Sequence, residues 1–130
     1  SRIKIMSNLL FISASPYQDN VLNLPVNDLP SAIPFYEKFM GFQVIDRKIE
    51  PHNLAILSRD DVQIGLAENG GDPEQEGSYF KVNSVELAFD FFSSNGLKSC
   101  NNASLSEEIN GEGMFFIVAP DRLYYCFGED

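Results

Sequence analysis

Apolar and polar positions along the chain fall into two similar runs separated by a polar stretch. From Val21 to Val26 apolar side chains recur at every second place, at Leu22, Leu24 and Val26, which gives an extended segment one apolar face and predicts a strand. Ala32, Phe35, Tyr36 and Phe39 then recur at helical spacing, and predict a short helix from Ser31 to Met40 that Gly41 ends. A proline in a helix interior removes a hydrogen bond, so Pro34 is expected in the first turn, with Ser31 as N-cap after an irregular Asp28-Leu29-Pro30 entry. Phe42 to Ile49, Asn53 to Ser58 and Val62 to Ala67 read as three further strands, the last two joined by the polar turn Arg59-Asp60-Asp61. The glycine-rich, acidic stretch from Asn69 to Gly77 reads as a linker.

The plan then repeats. Tyr79 to Val82 predicts a strand, and Asn83 followed by Glu86 predicts an N-cap with a capping box. Leu87, Ala88, Phe91 and Phe92 line the buried face of the helix that follows, which Asn95-Gly96 closes. Leu105 to Ile109, Met114 to Val118 and Leu123 to Phe127 are the remaining expected strands, with Gly111 and Pro120-Asp121 in turns. Laying Leu24-Pro25-Val26 on Phe80-Lys81-Val82 also lays Phe35 on Phe91, so the halves share one plan of strand, helix and three strands. This predicts one domain over residues 20–130, built of modules 20–68 and 78–128 joined by linker 69–77. Residues 1–19 form an extension in which residues 7–14 are expected to add an edge strand or arm. Ser1 to Ile5 are expected to be foreign to the natural protein, translation starting at Met6.

Composition narrows the function classes. With 130 residues and 44% hydrophobic content the chain can fill one core and hardly two. Nine basic residues against nineteen acidic ones give a net charge of −10, which disfavours nucleic acid and anionic membrane surfaces and favours cationic or neutral partners. The apolar run Leu9-Leu10-Phe11-Ile12 is short for a signal peptide, and no segment approaches the roughly 18 apolar residues of a membrane span. Cys100 and Cys126 lack metal-type spacing and make no disulfide framework, which suits a reducing cytoplasm.

Val26-Asn27-Asp28-Leu29, Phe35-Tyr36-Glu37-Lys38 and Gly41-Phe42-Gln43-Val44 resemble the "VxDL…FYxxxLGFxV" opening of the glyoxalase, bleomycin-resistance and extradiol dioxygenase (vicinal oxygen chelate) superfamily. Ala119-Pro120-Asp121-Arg122 stands where such proteins carry an Asp-Pro-Asp-Gly turn, with Ala119 in place of the first Asp and the glycine apparently deleted. The resemblance spans about residues 20 to 128. It implies an α+β fold of two βαβββ modules whose curved mixed sheets form a cup-shaped cleft, and pairing of chains into a homodimer.

Enzymes of the family hold a divalent metal in that cup on His, Glu or Gln from the first and last strand of each module. Here the matching positions carry Val21, Gly65, Gly77 and Cys126, none a hard oxygen or imidazole donor, and a lone Cys builds no metal site. The single histidine, His52, lies at a turn and reads as a solvated loop residue or a ligand contact. No catalytic residue, metal or cofactor is therefore expected.

If the strands alternate, Leu22, Leu24, Ile64, Leu66, Phe80, Val82, Tyr125 and Phe127 face the helices. Val21, Asn23, Gln63, Gly65, Ala67, Tyr79, Lys81, Tyr124 and Cys126 then face the cup, a mixture suited to a pocket with an apolar body and a few orienting polar groups. The ligand-binding candidates are Asn23, Gln63, Tyr79, Lys81, Tyr124, Cys126 and His52. A Cys126 thiol beside Lys81 would have a lowered pKa, whereas the more common role of such a Cys is that of a small buried hydrophobe. Phe35, Phe39, Phe89, Phe91 and Phe92 read as core. The resemblance implies a metal-independent protein of the bleomycin-resistance type that sequesters a drug-like or cationic small molecule. The alternative is a metal-dependent lyase, isomerase or dioxygenase using other donors, such as Glu68, Glu86 or Glu129.

Overall fold

The structure is a computed structural model that describes residues 9–16, 20–97 and 102–129. Strands β1 (Phe11–Pro16), β6 (Gly77–Val82), β7 (Ser104–Leu105), β8 (Phe115–Val118) and β9 (Tyr124–Gly128) form a five-stranded sheet in the order β1-β6-β9-β8-β7. Strands β2 (Leu24–Pro25), β3 (Gln43–Lys48), β4 (Leu54–Arg59) and β5 (Val62–Ala67) form a four-stranded sheet in the order β2-β5-β4-β3. Each sheet has one parallel pair, β2 with β5 and β6 with β9, because helices α1 (Leu29–Phe39) and α2 (Val85–Ser94) carry the chain across after the first strand of each module. The fold is α+β, with the two-module plan read from the sequence.

Element boundaries differ from expectation wherever a short polar side chain binds its own backbone. The strand expected from Val21 begins only at Leu24. Asn20 caps a 3-10 turn over Val21–Asn23, accepting from Leu22 N at 2.9 Å, and this leaves Leu22 42% exposed instead of on the helix-facing side. Helix α1 starts earlier than expected, since Asp28 rather than Ser31 is the N-cap and accepts from Ser31 N at 3.1 Å. Pro34 consequently lies inside the helix, but on its exposed side, where water can serve the carbonyl that loses its partner. Ser84, not Asn83, caps α2 through Leu87 N at 3.2 Å. Asn83 instead receives Leu10 N on its Oδ1 at 2.8 Å. The strand expected over Leu105 to Ile109 is only Ser104–Leu105, because the Ser106 hydroxyl takes Phe116 N at 2.8 Å and ends the ladder.

Of residues 7–14, expected to add an edge strand or arm, Phe11 to Ala14 lie in β1, which runs antiparallel to β6 and joins the two modules. The Phe11 ring is fully buried, with ring centroids 5.7 Å from Phe42, 5.5 Å from Phe80 and 5.9 Å from Phe127. Phe11 N donates to Asp60 Oδ2 at 2.9 Å. The Arg59 guanidinium lies 4.4 Å from the Phe11 centroid and 4.9 Å from that of Phe91, and donates to the Met40 carbonyl at 2.6 Å. Residues 1–8, where the start at Met6 was expected, lie outside the described residues, as does Cys100.

One core runs between the helices and the inner faces of both sheets. Leu24, Ile64, Leu66, Phe80, Val82, Tyr125 and Phe127 are buried there, as the alternation predicts. Phe35 and Phe92 are buried, and Phe39, Phe89 and Phe91 pack against the same cluster. Phe92 approaches Phe127 at 5.1 Å and Phe115 stacks on Phe127 at 4.9 Å.

The turn before β9 closes the modules on each other. Tyr36 of α1 donates its hydroxyl to Asp121 Oδ2 at 2.9 Å and lies 2.6 Å from the Tyr125 hydroxyl. Arg122 has φ 82°, so the glycine of the family turn is not deleted: arginine takes its left-handed place and pairs with Glu74 at 2.9 Å. Burial raises the Asp121 carboxyl pKa, against hydrogen bonds from Leu123 N and Tyr36 that lower it. A folded pKa above the unfolded one means that the stability this group supplies is complete below about pH 4 and is lost as pH rises through the raised value. Asp121→Asn should therefore gain stability relative to the unmodified protein as pH rises above about 4, as read from urea denaturation at successive pH values. A pH-independent difference would contradict this.

Candidate functional site

The side of the five-stranded sheet away from the helices carries most of the residues the alternation assigned to a ligand. Strand pairing sets them in three rows. Ser13, Lys81 and Gly128 form one; Ser15, Tyr79, Cys126 and Phe116 the next; Gly77, Tyr124, Val118 and Ser104 the third. Residues two apart on a strand are separated by about 6.6 Å, which is therefore the spacing of the rows. The Phe116 and Tyr124 rings lie 5.3 Å apart, tilted across the second and third rows. A Cβ built on Gly128 would collide with the Tyr79 hydroxyl, so the Tyr79 ring reaches over β9 into the row of Lys81. Tyr79, Lys81 and Phe116 are half-buried, and Tyr124 is exposed.

Lys81 is the only charged residue in the five strands of this sheet. Among the described residues no carboxylate pairs with it. Cys126 stands in register with Tyr79 rather than beside Lys81, and its sulfur lies 3.6 Å from that of Met114. Burial pushes the Cys126 thiol pKa up, which favours its neutral, apolar form on this face.

Three candidates lie elsewhere. Asn23 sits in the 3-10 turn, where its carbonyl and side-chain oxygens both receive Asn69 Nδ2 at 3.1 Å. Gln63 is exposed on β5 of the other sheet, and His52 is half-buried in the loop between β3 and β4. Periodicity misplaced Asn23 because the turn breaks the alternation. Ser13, Ser15, Phe116 and Val118 were not assigned to the site. Their pairing partners are distant in sequence, so only the period-2 pattern of β1 and β8 could have pointed to them.

The four positions that the family resemblance assigns to metal ligands offer little room or donor chemistry for one. Val21 belongs to the 3-10 turn. A side chain at Gly65 would run into the Leu22 backbone, and one at Gly77 into the Tyr124 carbonyl. The fourth position offers the single sulfur of Cys126, whose one sulfur contact among the described residues is with Met114. The other proposed donors are used on the helix side, in the same way in each module: Glu68 accepts Leu29 N at 2.7 Å and Glu129 accepts Val85 N at 2.9 Å, each on the first amide of a helix. Glu68 also accepts Asn53 Nδ2 at 3.0 Å. Glu86 and Glu129 border a cavity of about 300 Å³ at the start of α2, with Glu112. Among the described residues no three His, Cys, Asp or Glu side chains converge as a metal site would require.

The family model described as "Glyoxalase/Bleomycin resistance protein/Dioxygenase superfamily" matches residues 19–124. No curated protein matches the chain. Among solved structures, a bleomycin resistance determinant encoded on the transposon Tn5 is 22% identical, with a TM-score of 0.62 over 85% of this chain and 95% of that one. The bleomycin-binding protein of Streptomyces verticillus, complexed with copper(II)-bleomycin, is 13% identical, with a TM-score of 0.65 over 88% and 97%. A mutant of the fosfomycin resistance protein FosX of Listeria monocytogenes, complexed with Mn(II) and 1S,2S-dihydroxypropylphosphonic acid, is 15% identical, with a TM-score of 0.61 over 88% and 93%. At these identities the likeness establishes the fold. Among the described residues no helix is long and apolar enough to cross a membrane.

Proposed function

The chain belongs to the glyoxalase, bleomycin resistance protein and dioxygenase superfamily, and from that premise we propose that it is a metal-independent protein that binds a small organic molecule on the open face of the five-stranded sheet. The observation that carries this reading is the closure of two metal-ligand positions, Gly65 and Gly77, by neighbouring backbone. The face itself supplies an apolar floor of Phe116, Val118 and Cys126 with the polar heads of Tyr79 and Lys81 above it, the balance a small-molecule site needs. The protein works as a homodimer in the cytoplasm, where Cys126 stays a free thiol.

Protein treated with chelator and then exposed to drug-sized compounds, bleomycin and neutral and acidic aromatics among them, tests this by thermal unfolding. A compound at 100 times its Kd should add about 2.7 kcal/mol of stability and raise the midpoint by several degrees. Stoichiometric Ni, Zn, Fe or Mn in protein purified without chelator, with binding that returns only when the metal does, would overturn the proposal and place the chain with the metal-dependent enzymes.

A further inference from the structure

The acidic character of the whole chain suggests a cationic guest, but the acids are not where the guest would sit. None of the nineteen acidic residues lies in the five strands of the open-faced sheet, which hold a single charge, Lys81. Elsewhere, Arg59 pairs with Asp60, Arg122 with Glu74 and Lys48 with Asp46. Lys81 is half-buried and has no such partner among the described residues. Lys81 stands in register with Ser13, and the Tyr79 hydroxyl reaches over Gly128 into that row. Three groups able to donate hydrogen bonds therefore gather at one end of the face. Phe116 lies one row along and two strands across from Lys81, about 12 Å between backbones, and Tyr124 two rows along and one strand across, about 14 Å, separations that the long lysine side chain and an extended ligand together span. A partly desolvated ammonium gains most from an anionic acceptor, and charges beyond the Debye length of about 8 Å at physiological salt are largely screened. The nearest acids by chain position, Glu129 beside Gly128 and Asp60 at Phe11, are engaged by the Val85 and Phe11 amides, so Lys81 is the one charge the strands of this face present.

We propose that the ligand is a planar aromatic acid, its anionic group held by Lys81 with the Ser13 and Tyr79 hydroxyls and its ring system lying on Phe116 and Tyr124. This rests on the open face being the ligand site. Three matched probes separate the two ideas: 2-naphthoate, its neutral amide and 2-naphthylmethylamine, titrated into the full chain by calorimetry and NMR. The carboxylate should bind at least tenfold more tightly than the amide or the amine, as a charge-assisted hydrogen bond predicts. Lys81→Met should remove that preference, and Phe116→Leu should weaken all three probes by a similar factor. An amine preference, or a carboxylate preference that survives Lys81→Met in a variant with unchanged unfolding midpoint, overturns the assignment of an acid while leaving the site intact. Failure of all three to bind, or binding that Phe116→Leu does not touch, overturns the site itself.

Discussion

Arg59→Ala is expected to lower the free energy of unfolding by about 3 kcal/mol, read as a fall in the urea midpoint at constant slope. The guanidinium is the joint of the molecule. It donates to the Met40 carbonyl at the end of α1, stacks near Phe11 of β1 and Phe91 of α2, and lies 3.5 Å from Asp60. Truncation strands the carbonyl, at about 1–3 kcal/mol, and removes two ring contacts worth about 0.5–2 kcal/mol each. Burial lowers the Arg59 pKa, with Asp60 acting in the opposite direction. Arg59→Lys should recover only part of the loss, because an ammonium keeps the charge but not the flat stacking surface. A loss below about 1 kcal/mol for Arg59→Ala would mean that β1 and the modules are joined by other contacts.

The second large effect concerns the metal question. Gly65→Glu restores, at a family ligand position, the donor type that related enzymes use, yet it is expected to cost about 3 kcal/mol and to bind no metal. The new Cβ meets the Leu22 backbone, not the movable end of a side chain, so the turn Val21–Asn23 and its Asn69 hydrogen bonds must shift. Gln63→Glu, exposed on the same strand, supplies the control and should change stability by less than about 0.5 kcal/mol. Thermal unfolding with elemental analysis checks both. A stable Gly65→Glu protein that retains stoichiometric Zn or Mn would show that the cradle for a metal is intact and only its donor is missing.

Much of the fold could be read from periodicity, because the two modules bury alternate residues of their strands and one stripe of each helix. Leu24, Ile64, Leu66, Phe80, Val82, Tyr125 and Phe127 are all inward as that pattern requires. What could not be read were the places where a side chain outcompetes regular backbone pairing. Asn20 turns a strand into a 3-10 turn, Asp28 and Ser84 take the caps expected of Ser31 and Asn83, and Ser106 cuts β7 short. The site divided in the same way. Tyr79, Lys81, Tyr124 and Cys126 share a face because β6 and β9 alternate regularly. Asn23 left it with the 3-10 turn, and Gln63 and His52 belong to the other sheet and its loop. Ser13 and Ser15 entered it through β1, whose partner β6 lies beyond the entire first module and so leaves no local signal.

The most direct test of a metal-independent site on this face is a crystal structure of chelator-treated protein with the tightest-binding aromatic ligand. The account predicts the ligand's density over Phe116 and Tyr124, with its polar end at Lys81 and Tyr79 and no metal peak between the sheets. A ligand seated instead on a metal held by protein side chains, or in the Glu86–Glu112 cavity beside α2, would contradict it.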